Sequence, residues 1–130
     1  MKANTDNWLG SLRGARRDFV VTLFVPSQTR DGDPIDHDFW RVKALEVMAG
    51  LFGGATAVEC QGAWRDDEKG GAIKAERIST VQTYMAKTSW NKTTAAELAK
   101  FLHCMGREAN QGEIGLVVDG VYFPIRKFSK

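Results

Sequence analysis

The hydrophobic pattern of the chain alternates between the two-residue period of a strand and the longer period of a helix. From the amino terminus the order is strand, helix, strand, strand, helix, strand, over residues 19–25, 38–53, 56–64, 72–86, 94–109 and 114–125. This order predicts an α+β fold, a ferredoxin-like βαββαβ sandwich in which two helices cover one face of a four-stranded antiparallel sheet. Asp119 and Gly120 favour a turn that would make a C-terminal hairpin of the last segment.

Both predicted helices carry signals at their ends. The first starts near Asp36 or Asp38, either of which can cap it, and the glycine pair that begins at Gly53 ends it. Four apolar residues at helical spacing predict its buried stripe: Val42, Leu45, Met48 and Phe52. The second helix is predicted to begin at Thr94, with Glu97 completing a capping box.

The strand segments predict a sheet with one covered and one open face. The segment FVVTLFV, residues 19–25, is apolar on both faces. Three of its residues are expected to leave the open face partly apolar: Val20, Thr22 and Phe24. A second copy of the chain is the expected cover, which predicts a homodimer. In residues 72–86 the alternation changes phase, which indicates a bulge near Ser79 or a strand that begins after Ile73.

Length, charge and cysteine content restrict the class of protein. The 130 residues predict a single α+β domain over 18–130 after a poorly ordered lead over 1–17. The net charge of +2 is spread along the chain, which disfavours a nucleic-acid partner. The sequence shows no export signal and no apolar run long enough for a membrane span, so a cytoplasmic location without membrane association is expected. Cys60 and Cys104 match no zinc pattern.

The predicted topology brings three connections to one end of the sheet, namely 27–38, 65–72 and 106–113. They are the most charge-dense parts of the chain, and Arg65 is expected to lie within interaction range of an acid from another connection. A polar site is therefore predicted where the three meet. Its predicted ligand-binding residues are Trp64, Arg65, Arg107, Asn110 and Gln111.

Alternatives remain open for these side chains. In a structural interpretation Trp64 caps the sheet edge, while Arg65 pairs with Asp66 or Glu68. If the protein is an enzyme, the acid–base candidates are His37, Glu108 and Glu113. A metal site is the weaker alternative, with oxygen ligands from Asp31, Asp33 and Asp66. No nucleotide, zinc or other cofactor motif is present, so no cofactor is predicted.

One stretch resembles a known group of proteins. A glycine-containing helix end leads through a strand into Gly62, Trp64 and Arg65, and a second strand then carries Glu76. This arrangement resembles a family of small bacterial proteins of unknown function with a Gly-x-Trp-Arg turn. The resemblance covers about half of the chain and implies the ferredoxin-like fold, and it implies no activity. The present sequence differs from that family in lacking an export signal.

These observations lead to two hypotheses about function. The first is a non-enzymatic binding or regulatory module of prokaryotic or phage origin, homodimeric, with a small anionic ligand or a protein partner at the three-loop site. The second is a small enzyme that acts on a phosphate or carboxylate substrate at the same loops. The absence of a hydrolase, phosphate-loop or dinucleotide motif favours the first.

Overall fold

A computed structural model describes Gly14 and residues 16–129, so most of the predicted lead over 1–17 lies outside the described residues. The sheet strands and helices are β1 (Phe19–Val25), α1 (His37–Phe52), β2 (Thr56–Asp66), β3 (Ala72–Met85), α2 (Lys92–Glu108), β4 (Ile114–Val118) and β5 (Val121–Ile125). Two single 3-10 turns lie at Asp67–Lys69 and Lys87–Ser89. Neither α1 nor α2, nor any other described helix, is long and apolar enough to cross a membrane.

The strands form one sheet in the order β2-β3-β1-β4-β5, and every neighbouring pair is antiparallel. The prediction of a four-stranded ferredoxin-like sheet is therefore wrong, because the sheet has five strands. The additional strand follows from a tight turn in which Asp119 and Gly120 have φ values of 48° and 88°. The turn directs β5 back along the whole length of β4, from Val118–Val121 to Ile114–Ile125.

A single hydrophobic core lies between one face of the sheet and both helices. Alternate residues of the central strand β1 are buried there: Phe19, Val21, Leu23 and Val25. Residues of both helices join the same cluster, among them Met48 of α1 and Leu98, Leu102 and Met105 of α2. Since all of these side chains share one cluster, α1 and α2 cover the same sheet face, and within residues 16–129 no helix lies on the opposite face.

The first helix begins one residue earlier than predicted. Asp36 caps it by accepting a hydrogen bond from the backbone N–H of Phe39 at 3.1 Å, and Gly53 ends it with a φ of 99°. Its buried residues are His37, Trp40, Ala44, Met48 and Phe52. Val42 was predicted to be buried and is 45% exposed, since the i, i+4 row through Trp40 and Met48 places it on the solvent side.

The second helix begins at Lys92, so the predicted start at Thr94 is wrong. Asn91 is the cap, and its Oδ1 accepts from the backbone N–H groups of Thr93 and Thr94. Thr94 completes the capping box, because its hydroxyl accepts from the N–H of Asn91 at 3.1 Å. Glu97, the predicted partner in that box, instead pairs with Lys100 at 3.0 Å.

Strands β2 and β3 extend beyond the rest of the sheet as a two-stranded arm, here defined as residues 60–78. β3 pairs with β1 only from Ser79 onward, whereas it pairs with β2 without interruption from Ala72 to Gln82. The predicted bulge near Ser79 is therefore absent from the register. The change of phase in the sequence marks the point at which β3 leaves the covered sheet and becomes the arm, which is about 20 Å long.

Gly115 of β4 allows two aromatic side chains to meet on the open face. A Cβ at this position would lie 2.8 Å from Tyr122 Oη and 2.9 Å from Phe24 Cδ2. We expect Gly115→Ala to lower the free energy of unfolding by about 1–3 kcal/mol, because a buried methyl group has no room there. Urea denaturation measures this change. Gly112→Ala is the matched control, since nothing lies within 4 Å of its Cβ position, and an equal loss in both variants would contradict the explanation.

Candidate functional site

Two of the three predicted connections meet, and the third lies elsewhere. The backbone N–H of Arg30 donates to the carbonyl of Asn110 at 2.8 Å, and Gln111 Nε2 donates to the carbonyl of Gln28 at 2.7 Å. Segments 27–38 and 106–113 are therefore joined. Across the described chain, no hydrogen bond or ion pair connects 65–72 to either of them, because the arm carries that turn away from the end of β1.

Trp64 and Arg65 are adjacent on β2 and so point to opposite faces of the arm. The Arg65 guanidinium pairs with Asp67 through Nε at 2.6 Å, and 68% of its side chain is exposed. Asp66 accepts from the backbone N–H of Glu68 and lies 3.5 Å from Lys74. The arginine is thus held by its own turn, and the expected approach to an acid of the other connections is not observed.

His37 lies in the interior, where both ring nitrogens have partners. The ring is 5% exposed, Nδ1 lies 2.8 Å from the carbonyl oxygen of Pro26, and Nε2 lies 2.8 Å from Ser79 Oγ. Because a carbonyl oxygen only accepts, Nδ1 carries the hydrogen. His37 therefore ties the start of α1 to β1 and β3, and it is not presented to a ligand in the loop where the sequence placed an acid–base candidate.

Three predicted polar residues in the last turn of α2 and after it, Arg107, Glu108 and Glu113, each have a partner of their own. Cys104 Sγ donates to Glu108 at 2.7 Å, and this hydrogen bond raises the pKa of the thiol above its ordinary value. Arg107 donates to the carbonyl of Ser129. Glu113 accepts from Tyr122 Oη at 2.7 Å and from Arg126 Nε at 2.9 Å. Arg107, Glu108 and Glu113 therefore do not share a common ligand-facing arrangement.

Tyr122, on the open face, makes the stability of the fold depend on pH. Burial, followed by its hydrogen bond to Glu113, raises the pKa of Tyr122 to about 12 from an ordinary value of 10.0. Between these values the unfolded chain loses the phenolic proton while the folded chain keeps it, so stability falls as the pH rises from 10 to 12. We expect Tyr122→Phe to reduce this slope. Since Tyr122 is 51% exposed, the difference is below about 1 kcal/mol, and urea denaturation across that range measures it.

The carboxylates of the weaker metal hypothesis lie in different places. Asp31 and Asp33 are exposed in the first loop, whose turn is organised by Thr29, and Asp66 is at the end of the arm. Over residues 16–129, no group of three or more His, Cys, Asp or Glu side chains could hold a metal ion. The three acids therefore do not form a cation site together.

Glu76 is a buried carboxylate that accepts hydrogen bonds from the backbone of a distant loop. It is 8% exposed, and its Oε2 accepts from the backbone N–H of Ser27 at 2.6 Å, from the N–H of Gln28 at 2.8 Å and from Ser27 Oγ at 3.3 Å. Among the described residues nothing donates to Oε1, and this oxygen is not sealed in the interior. One oxygen of Glu76 is thus fixed by the protein, and the other has no hydrogen-bond donor among the described residues.

An aromatic surface lies on the same face of the arm as this carboxylate. Glu76 pairs directly with Gly62, and Trp64 pairs with Lys74, so Trp64 and Glu76 are diagonal neighbours with Cα atoms about 7–8 Å apart. Trp64 is 43% exposed. Gly62 between them carries no side chain. The resemblance noted above contains Gly62, Trp64 and Glu76, but composition and periodicity alone gave no sign that Glu76 is buried.

A separate apolar pocket of about 250 Å³ lies on the helix-covered face between α2 and the β4–β5 hairpin. Trp90, Leu102, Phe123 and Ile125 contribute to its wall, and His103 is its polar residue. The Nδ1 atom of His103 accepts from the backbone N–H of Ser129 at 2.9 Å. None of the predicted site residues lines this pocket.

Neither the protein-family models nor the curated proteins contain a match to this sequence. The resemblance to small bacterial proteins with a Gly-x-Trp-Arg turn therefore stays a prediction. Two solved structures share the fold. A phage SAM lyase in complex with S-methyl-5′-thioadenosine has a TM-score of 0.61 and 13% identity, covering 88% of this chain and 94% of that chain. A phage SAM lyase in the apo state has a TM-score of 0.58 and 12% identity, covering 90% and 98%.

The comparison corrects the leading hypothesis about function. The sequence favoured a non-enzymatic binding or regulatory module, whereas the solved structures with this fold are those of an enzyme. The second hypothesis, a small enzyme, agrees better with this finding. At 12–13% identity the likeness shows a shared fold and nothing further.

Proposed function

We propose that the protein is an enzyme that cleaves S-adenosylmethionine and releases S-methyl-5′-thioadenosine. The observation that carries this proposal is the fold shared with a phage SAM lyase in complex with that thioether, over 88% of this chain. The substrate carries an α-carboxylate, so it belongs to the carboxylate class that the sequence suggested for an enzyme. It also carries two cationic groups, an ammonium and a sulfonium.

The reaction requires little acid–base catalysis by the protein. The bond between sulfur and the Cγ atom of the amino-acid chain breaks, and its electron pair moves to sulfur, which leaves as a neutral thioether. Cγ can take its new bond from the substrate's own carboxylate oxygen, which closes a cyclic ester. No proton transfer, water molecule or cofactor is consumed. Binding and orientation of the substrate therefore supply the larger part of the catalysis.

Glu76 and Trp64 are suited to that task. The free Oε1 of Glu76 accepts a charge-assisted hydrogen bond from the substrate ammonium group, while the backbone holds Oε2 in place. The indole of Trp64, on the same face, provides a stacking surface for the adenine ring. Arg65 and Arg107, both predicted ligand-binding residues, are held by Asp67 and Ser129 and take no part in this arrangement.

The proposal includes a homodimer and a cytoplasmic location. Three exposed apolar side chains on the open face support a second copy as its cover: Val58, Tyr84 and Tyr122. Both cysteines are free, as in proteins of reducing compartments. Native mass spectrometry measures the first point. We expect a dimer at micromolar concentration, and a monomer under these conditions would contradict it.

The function is tested by incubating the purified protein with S-adenosylmethionine and measuring S-methyl-5′-thioadenosine by liquid chromatography and mass spectrometry. We expect release well above that in buffer alone, where the substrate decomposes slowly. S-Adenosylhomocysteine is the matched control substrate, because it lacks the sulfonium charge and its sulfur is a poor leaving group. Release no faster than in buffer, from protein with intact circular dichroism and cooperative unfolding, would contradict the proposal.

A further inference from the structure

The end of α2 places one side chain in contact with the loop that holds Glu76. Asn110 follows the helix in the left-handed region with a φ of 50°. The N–H of Gln111 then returns to the carbonyl of Gly106 at 2.9 Å, and the N–H of Asn110 reaches Arg107 at 3.3 Å. This is the Schellman pattern of helix termination, which gives Gln111 a fixed position immediately after the helix.

From that position the Gln111 amide bridges two parts of the chain. Its Nε2 donates to the carbonyl of Ala109 at 2.9 Å and to the carbonyl of Gln28 at 2.7 Å, across 83 residues of sequence. Both hydrogens of the amide group are therefore used. The second of these bonds fixes the peptide group that follows Gln28.

The peptide group on the other side of Gln28 is the one that holds Glu76. The N–H of Gln28 donates to Glu76 Oε2 at 2.8 Å, next to the N–H of Ser27 at 2.6 Å. A continuous series of hydrogen bonds thus runs from the end of α2 through Gln111 and Gln28 to the carboxylate. We propose that Gln111 is a positioning residue, which orients Glu76 through the Ser27–Gln28 backbone without touching the substrate.

This inference rests on the proposed function for its kinetic test. In Gln111→Ala the Ser27–Gln28 segment loses one of its supports, so the free oxygen of Glu76 is held less well. We expect the KM for S-adenosylmethionine to rise about tenfold with little change in kcat, since the ammonium group is bound both before and during bond cleavage. Gln111→Glu should behave like Gln111→Ala, because a carboxylate cannot donate to the Gln28 carbonyl.

A double-mutant cycle separates positioning from a purely structural role. If Gln111 acts through Glu76, then Gln111→Ala should cause no further rise in KM in the Glu76→Gln background. An additive rise would overturn the proposal. Gly112→Ala is the matched control, because nothing lies within 4 Å of a Cβ at that position and the Gln111 side chain stays in place, so its KM should be unchanged.

A measurement without substrate keeps this inference separate from the proposed function. Hydrogen exchange followed by NMR reports the Ser27 and Gln28 amides directly, and both should exchange faster in Gln111→Ala than in the unaltered protein or in Gly112→Ala. Unchanged protection at these two amides would overturn the positioning role even if the protein cleaves S-adenosylmethionine. Faster exchange in a protein without that activity would support the positioning role and contradict the proposed function alone.

Discussion

Replacing Glu76 by glutamine is expected to lower kcat/KM for release of S-methyl-5′-thioadenosine by about 10- to 100-fold. The substitution keeps the shape of the side chain and an oxygen that can accept from Ser27 and Gln28, but it removes the negative charge. A charge-assisted hydrogen bond contributes about 1.5–3 kcal/mol, which corresponds to that range. Most of the effect should appear as an increase in KM, because the ammonium group keeps its charge throughout the reaction.

Glu59→Gln provides the control for this experiment. Glu59 is an acid on the same hairpin, but its side chain is 54% exposed, on the opposite face of β2, and lies 3.7 Å from Arg77. Its loss should leave kcat/KM unchanged. If Glu76→Gln retained the full rate of release while Glu59→Gln did the same, then the enzyme activity would stand and the assignment of the site to Glu76 would be wrong.

Replacing His37 by alanine is expected to lower the free energy of unfolding by about 2–4 kcal/mol. The change removes a buried ring and leaves the Ser79 hydroxyl and the Pro26 carbonyl without their partner. Each buried polar group left unpaired costs about 1–3 kcal/mol, and loss of the ring adds a cavity. Urea denaturation measures the change, and the slope of the transition shows whether the unfolded state has altered.

Two further variants identify the cause of that loss. His103→Ala removes the other histidine, which is half-buried on α2, and should cost less than about 1 kcal/mol. Ser79→Ala combined with His37→Ala should cost less than the sum of the single changes, because the hydroxyl no longer needs a partner. Strict additivity would show that His37 stabilises the fold through its volume alone.

The order of helices and strands was predictable because it depends on local signals. Hydrophobic period and turn residues lie within a few positions of the structures that they specify, as with Gly53 after α1. The turn at Asp119 and Gly120 was equally visible. Its consequence, a complete fifth strand, depends on how far β5 pairs along β4, and the sequence of the hairpin does not state that length.

The candidate site was harder to predict from the sequence, since the burial of its residues depends on partners that are distant along the chain. Glu76 is buried by N–H groups that lie 48 and 49 residues away, and nothing in its own segment distinguishes it from Glu59. His37 stands in a charged stretch that resembles a solvent-exposed loop. Its burial depends on Pro26 and Ser79, which are 11 and 42 residues distant. The sequence placed Gln111 among the site residues, but as a residue that contacts the ligand directly.

The arm has a consequence for the cooperativity of unfolding. Residues 72–78 pair with β2 alone, and of their described hydrogen bonds those that reach beyond the hairpin pass through the Glu76 carboxylate. The arm can therefore separate from the body as a sub-global unit at a lower free energy than global unfolding. A cationic ligand on Oε1 would bind only the form in which the arm is attached. Ligand binding would therefore raise the free energy needed to separate the arm. The Glu76 carboxylate would then both attach the arm to the rest of the protein and bind the ligand.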